Sequence, residues 1–167
     1  LQHPTGQVQE VLDHALENAI ELTGSTIGFL LQYQEERQEC VLCSWSREVI
    51  ASCAMANPQS TFHLEQAGLW AEAIRQRRPV TINDFLADHP LKQGIPEGHL
   101  ELRRFMAVPI VKDDQVVGVV GLANKPSAYD DNDSLQVTLL MDSVCNIAER
   151  KRMEEERSRL QAQLVQA

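Results

Sequence analysis

Cys40 and Cys43 stand in a C-x-x-C spacing, the arrangement that can hold zinc or run thiol–disulfide chemistry. The surrounding residues 40–45 read as a strand, however. On a strand an odd offset sends two side chains to opposite faces, so these thiols cannot readily share one metal. Neither a second C-x-x-C nor a paired histidine completes a tetrahedral set. Cys53 and Cys145 are isolated, and four cysteines in 167 residues fall far below a disulfide scaffold. They read as reduced thiols of a cytoplasmic protein.

Two histidines, His89 and His99, lie in the stretch 86–104, which also holds two prolines and two glycines. A loop this long inside a small domain is usually functional or mobile. On its own a loop histidine such as His99 reads most plainly as a solvated or turn-capping imidazole. Large apolar surfaces come from Phe29, Trp45, Trp70, Phe85 and Phe105. Trp70, Phe85, His99 and Phe105 form the candidate pocket set, with ordinary core packing as the alternative for each aromatic. Lys125 and Asp133 are placed to pair across a loop, fastening a strand end marked by Asn124 to a helix start. Asp130, Asp131 and Asp133 also sit where carboxylates complement a helix dipole.

Which elements would position these residues? Val8, Val11, Leu12, Ala15, Leu16, Ala19 and Ile20 recur at three- and four-residue steps, the stripe of a helix packed on one face. Gly24 ends it. Ile27, Phe29, Leu31 and Tyr33 alternate as a strand, with 40–45 as its hairpin partner across a polar turn. Residues 47–60 are ambiguous. The segment 69–75 predicts a short helix stopping before Pro79, then a brief strand at 80–82. A second hairpin spans 105–111 and 116–124 around Asp113-Asp114, and Pro109 implies an edge position or a bulge. From Asp130 the chain is free of Pro and Gly and predicts one long helix.

The order of elements predicts an α+β fold: a central antiparallel sheet of five to six strands with flanking N- and C-terminal helices. A hydrophobic content of 43% and a charged content of 23% suit one soluble domain. The net charge of −9 argues against a general nucleic-acid binder and against an electrostatic membrane anchor. No apolar run approaches the roughly 20 residues of a membrane span, and no signal peptide is visible. The absence of an initiator Met and the helical end at Ala167 fit a segment of a longer protein or a processed chain.

Longer stretches resemble a known family. Gly68-Leu69-Trp70-Ala71-Glu72-Ala73-Ile74, Arg78-Pro79-Val80 and Asn83-Asp84 resemble the central segment of bacterial GAF domains. So do Gly94-Ile95-Pro96-Glu97-Gly98-His99 and Arg104-Phe105-Met106-Ala107-Val108-Pro109-Ile110. The run 116–125 and Tyr129-Asp130-Asp131 complete the pattern, and Leu139-Leu140-Met141-Asp142 with Glu149-Arg150-Lys151-Arg152 resembles the exit helix. The resemblance implies a GAF/PAS-like sensor module of the kind found in histidine kinases and diguanylate cyclases. It names no cofactor, because the fold hosts cyclic nucleotides, haem, bilins, metals and metabolites in different members.

Asn124-Lys125, Tyr129 and Asp133 resemble the Asn-Lys…Phe…Asp-Glu motif of cyclic-nucleotide-binding members. Tyr129 replaces the Phe and Ser134 the Glu, so Asn124, Lys125 and Asp133 are expected to be structural. A GAF-type reductase of free methionine sulfoxide would use cysteines, and these four reproduce no such cluster. Some haem-binding members take an axial ligand from the corresponding loop, so the resemblance makes His99 a candidate haem ligand, whereas bilin attachment lacks a cysteine there. The resulting expectation is a sensor domain at 1–148 and a signalling helix at 149–167, with no catalytic residue and any output enzyme outside the chain. Its partners would be an unknown small molecule and a second copy, in a parallel dimer through the terminal helices, with no nucleic acid and no membrane insertion. Glu149–Arg152 and Glu155–Arg159 are expected to pair along that helix, and the step from Ile147 to Met153 breaks a strict heptad. The rival readings are a dimerisation module with a filled pocket and a small-molecule enzyme.

Overall fold

The computed structural model describes residues 6–46, 61–63, 68–84 and 102–166. They form α1 (Gly6–Thr23), β1 (Ile27–Gln34), β2 (Glu39–Trp45), β3 (Thr61–His63), α2 (Leu69–Gln76), β4 (Val80–Ile82), β5 (Phe105–Lys112), β6 (Gln115–Ala123) and α3 (Asp131–Gln166). The strands make one six-stranded sheet in the order β3-β2-β1-β6-β5-β4, with every neighbouring pair antiparallel. Each hairpin is sequence-local, and the β1–β6 pairing joins the two into one surface.

The sheet separates two apolar layers. On one face α1 and α3 bury Ala15, Leu16, Ala19, Val137, Met141 and Val144 against Leu30, Met106, Val108, Val120 and Leu122. On the other, α2 contributes Ala71, Ala73 and Ile74 over Ile27, Leu31, Phe105, Ala107, Val119 and Ala123. Strand alternation explains the division, since successive residues of β1, β5 and β6 enter opposite layers.

Helix α1 stops in a Schellman turn. The N–H of Gly24 donates to Glu21 O at 3.2 Å and that of Ser25 to Ile20 O at 3.0 Å, with Gly24 at φ +73°. The β5–β6 turn places Asp113 and Asp114 at φ 51° and 62°, the two left-handed residues of a type I′ hairpin. Pro109 lies on an interior strand, yet β4 pairs only with 105–107 of β5. The missing proline N–H therefore meets no ladder partner on that side, and the register shifts just beyond, between Ile110 and Val111.

The sixth of the five to six strands expected is β3, a three-residue edge strand that pairs with 39–41 of β2, whereas the ion pairs of the tail differ from the expectation. The ambiguous segment 47–60 and residues 86–101 of the loop 86–104, with His89, lie outside the described residues. Along the tail, Glu149 pairs with Lys112 rather than Arg152, and Arg159 pairs with Glu156 rather than Glu155. Lys112 comes from the end of β5, a neighbour that helical spacing alone does not announce.

Candidate functional site

Among the described residues, the face under α2 gathers Phe29, Tyr33, Trp70 and Phe105. Register aligns Ile27, Ala123, Phe105 and Ile82 in one cross-sheet row and Phe29, Gly121, Ala107 and Val80 in the next. Small residues stand in the middle of these rows, Ala123 in the first and Gly121 and Ala107 in the second. The Phe29 ring lies over Gly121 and stacks on Phe105, with centroids 6.2 Å apart and planes 28° apart. The buried alanines of α2 let that helix approach β5 and β6 closely. Phe29, Leu42, Trp70 and Val80 remain half-buried around it and form an apolar rim.

Of the pocket set read from the sequence, Trp70 and Phe105 thus meet in one cluster. Phe85 and His99 lie outside the described residues. Phe29 was not in that set, although its alternation with Ile27 and Leu31 puts it on the Phe105 face once β1 is paired with β6.

The strand-end residues build a polar clip at one edge of this face. Lys125 Nζ lies 2.7 Å from Asp133 Oδ2, and Asp133 is nearly fully buried. Asp133 Oδ2 also accepts the Asp130 N–H at 3.0 Å, and Asp130 Oδ1 accepts the Asp133 N–H at 3.0 Å, a reciprocal cap of α3. Asn124, at φ 61°, accepts the Arg103 N–H on its side-chain oxygen at 2.8 Å. Asn83 grips the Tyr129 backbone twice, accepting its N–H at 2.7 Å and donating to its carbonyl at 3.1 Å. The Tyr129 hydroxyl bonds Ser25 Oγ at 2.7 Å, so β4, the end of α1 and the start of α3 converge on one residue. Sequence reasoning missed the Asn83–Tyr129 grip, which links residues 46 positions apart.

The described thiols are shielded. Cys40 is fully buried in the α2-side layer and Cys43 in the α1/α3 layer, so the C-x-x-C is divided by the sheet. A bulge in β2 makes Cys43 the extra residue opposite Leu30 and Leu31, and Gln9 Nε2 takes its freed carbonyl at 2.9 Å. Burial pushes the Cys40 thiol up to about 12 and the Cys43 thiol to about 11, and it also raises Cys145. Among the described residues no group of three or more His, Cys, Asp or Glu is placed to hold a metal ion. On the α1 side a cleft of about 1090 Å³ opens between α1 and the end of β2, lined by Asp13, Leu16, Glu17, Ile20, Ser44 and Trp45 among others. Its Asp13 is already occupied by Ser44 Oγ at 2.6 Å and Gln9 Nε2 at 2.8 Å.

A family model described as GAF domain matches residues 5–147. The chain belongs to the GAF domain family. A methyl sulfide methyltransferase-associated sensor of Methanosarcina acetivorans is 37% identical over 148 residues, covering 89% of this chain and 15% of that protein. The chain therefore spans a small part of its relative. The GAF domain of a phosphoenolpyruvate-protein phosphotransferase from Coxiella burnetii superposes with a TM-score of 0.71 at 15% identity, covering 90% of this chain and 88% of that one. A type II free methionine-R-sulfoxide reductase from Thermoplasma acidophilum superposes at 0.65 with 12% identity, over 86% and 93% of the two chains. At such identities the structural likeness carries the fold alone.

Within this GAF domain the thiols give a pH test. A thiol whose folded pKa is raised contributes stability that is complete below its unfolded pKa of about 8.5 and is lost as pH rises toward the folded value. Melts run from pH 8 to 11 are therefore expected to show stability falling by up to about 1.4 kcal/mol per pH unit for each of Cys40 and Cys43. Cys40→Ala or Cys43→Ala should flatten that slope. An unchanged slope in both variants would mean that neither thiol is shielded as described.

Proposed function

We propose that this GAF domain is a sensory module that holds a small apolar or aromatic ligand or cofactor on the α2 face and relays its state through α3. The observation that carries the reading is the half-buried rim of Phe29, Leu42, Trp70 and Val80, on the face of the sheet opposite the helix that leaves the domain. Occupancy of the rim would shift α2 over the sheet; residues 85–101 lie outside the described residues. His99 and Phe85, carried by that segment, are retained as candidate ligand contacts beside Trp70 and Phe105. That the relative is named a sensor supports the reading. Any output activity, kinase, cyclase or other, would belong to a domain outside this chain, which is read as cytoplasmic.

Helix α3 supports a relay through a second copy. Its residues Val137, Met141 and Val144 pack in the layer shared with α1 and the sheet, Ala148 is buried on the same side of the helix, and beyond Glu155 every described residue is exposed. Leu135, Leu139, Met153, Leu160 and Leu164 are exposed. At 100° per residue they fall within about 60° of one another, opposite the buried stripe. Such a stripe suits a parallel partner, with Arg150 and Arg157 in line with it loosening the register.

Native mass spectrometry of the purified chain with an absorption spectrum tests both halves. A dimer carrying a retained small molecule is the expected result, and a Soret band would identify haem. Leu160→Lys with Leu164→Lys should raise the dimer dissociation constant at least about tenfold, since each leucine offers roughly 1.5–3 kcal/mol of burial. A bare polypeptide mass that takes up no ligand would favour a filled pocket, and a monomer at all concentrations would remove the dimer.

A further inference from the structure

A signal that starts on the α2 face must reach α3 on the far side of the sheet. It can cross through the packed layers or pass around the sheet's end. The β5–β6 turn is such an end, and both sides of it are held. Arg77, the left-handed C-cap of α2 at φ 56°, donates from Nη2 to the backbone carbonyl of Asp114. Lys112, on the other flank of the same turn, donates from Nζ to Glu149 Oε2. Glu149 directly follows Ala148, the last fully buried residue of α3.

We propose that the 112–115 turn is a coupling element that carries the position of α2, through Arg77 and Asp114, to the exit point of α3, through Lys112 and Glu149. A two-residue turn with both central residues left-handed is short and stiff, and Lys112 and Gln115 close it as a register pair. A shift imposed on the Asp114 carbonyl therefore moves Lys112 with it. The register irregularity between Ile110 and Val111 sits just behind the turn and gives the tip a place to pivot against the sheet. Both contacts are solvent-facing, and the Lys112 and Glu149 side chains are 30% and 49% exposed. Each alone is weak, so the turn biases the helix exit instead of locking it. The use of this coupling rests on the sensor reading, but its existence does not.

Hydrogen exchange by mass spectrometry on the full chain tests it without any ligand. Arg77→Gly removes the guanidinium while placing a residue suited to the left-handed cap, so α2 keeps its termination. Exchange in peptides covering 145–155 should quicken about two- to fivefold, although Arg77 touches no residue there. Lys112→Gln should do the same, and the R77G/K112Q double variant should go no further than either alone. The swap K112E with E149K should return wild-type rates. Unchanged exchange at 145–155 in R77G, or effects of R77G and K112Q that multiply, would overturn the coupling. Either result leaves the ligand reading to be decided by the mass and absorption measurements.

Discussion

Replacing Asp133 by alanine is expected to cost about 3–5 kcal/mol in urea unfolding, with an unchanged m-value. The carboxylate is only 6% exposed and serves two donors at once, Lys125 Nζ at 2.7 Å and the Asp130 N–H at 3.0 Å. Alanine strands the Lys125 ammonium, itself only 18% exposed, and frees an N–H at the start of α3. The first loss is that of a buried pair broken on one side; the second is a helix cap worth about 1 kcal/mol.

Lys125→Met should cost less, because Asp133 keeps the Asp130 N–H and the positive end of the helix dipole. The double variant should fall short of the sum by about 1–3 kcal/mol. A cost below about 1 kcal/mol for Asp133→Ala would show the pair to be an ordinary solvated one. Asp130 adds a pH signature. The hydrogen bond from the Asp133 N–H holds its carboxyl below the usual range. Its capping contribution is therefore present above a pH of about 3.9 and is lost as pH falls through the lower folded value.

This clip shows what kind of feature the sequence makes legible. Lys125 and Asp133 are eight residues apart across one loop, and a strand end followed by acidic helix-start residues announces their meeting. The stripe of α1, its Gly24 stop, both central hairpins and the long α3 are legible for the same reason, since each is set by local periodicity or turn chemistry. Features fixed by pairing register escape. Strand β3 has three residues and no alternation to detect. The β2 bulge that turns Cys43 and Ser44 to the same face depends on how β1 lies beside β2. Glu149 meets Lys112 across 37 positions, so helical spacing nominated Arg152 in its place. The candidate site divides along the same line. Trp70 and Phe105 could be nominated as large apolar residues near turns, whereas Phe29 joins them through the β1–β6 register.

Gly121→Ala isolates that register dependence, because two effects of opposite sign compete there. Alanine in a strand interior normally gains about 0.5–1 kcal/mol over glycine through the unfolded chain. Here the new methyl would sit 2.5 Å from Phe29 Cε1 and 2.8 Å from Cε2, inside the ring's van der Waals surface. Phe29 stands directly opposite Gly121 and cannot retreat without leaving its stack on Phe105. Overpacking of this kind costs about 1–3 kcal/mol, so the steric term wins and the variant should lose about 2 kcal/mol. Phe29→Leu shortens the obstructing side chain. In that background Gly121→Ala should cost less than half as much, or become neutral. Equal costs in both backgrounds would sever Gly121 from Phe29. Because Phe29 and Trp70 share the same half-buried rim, the displaced ring should also weaken retention of any small molecule on this face, and native mass spectrometry of Gly121→Ala reads that directly.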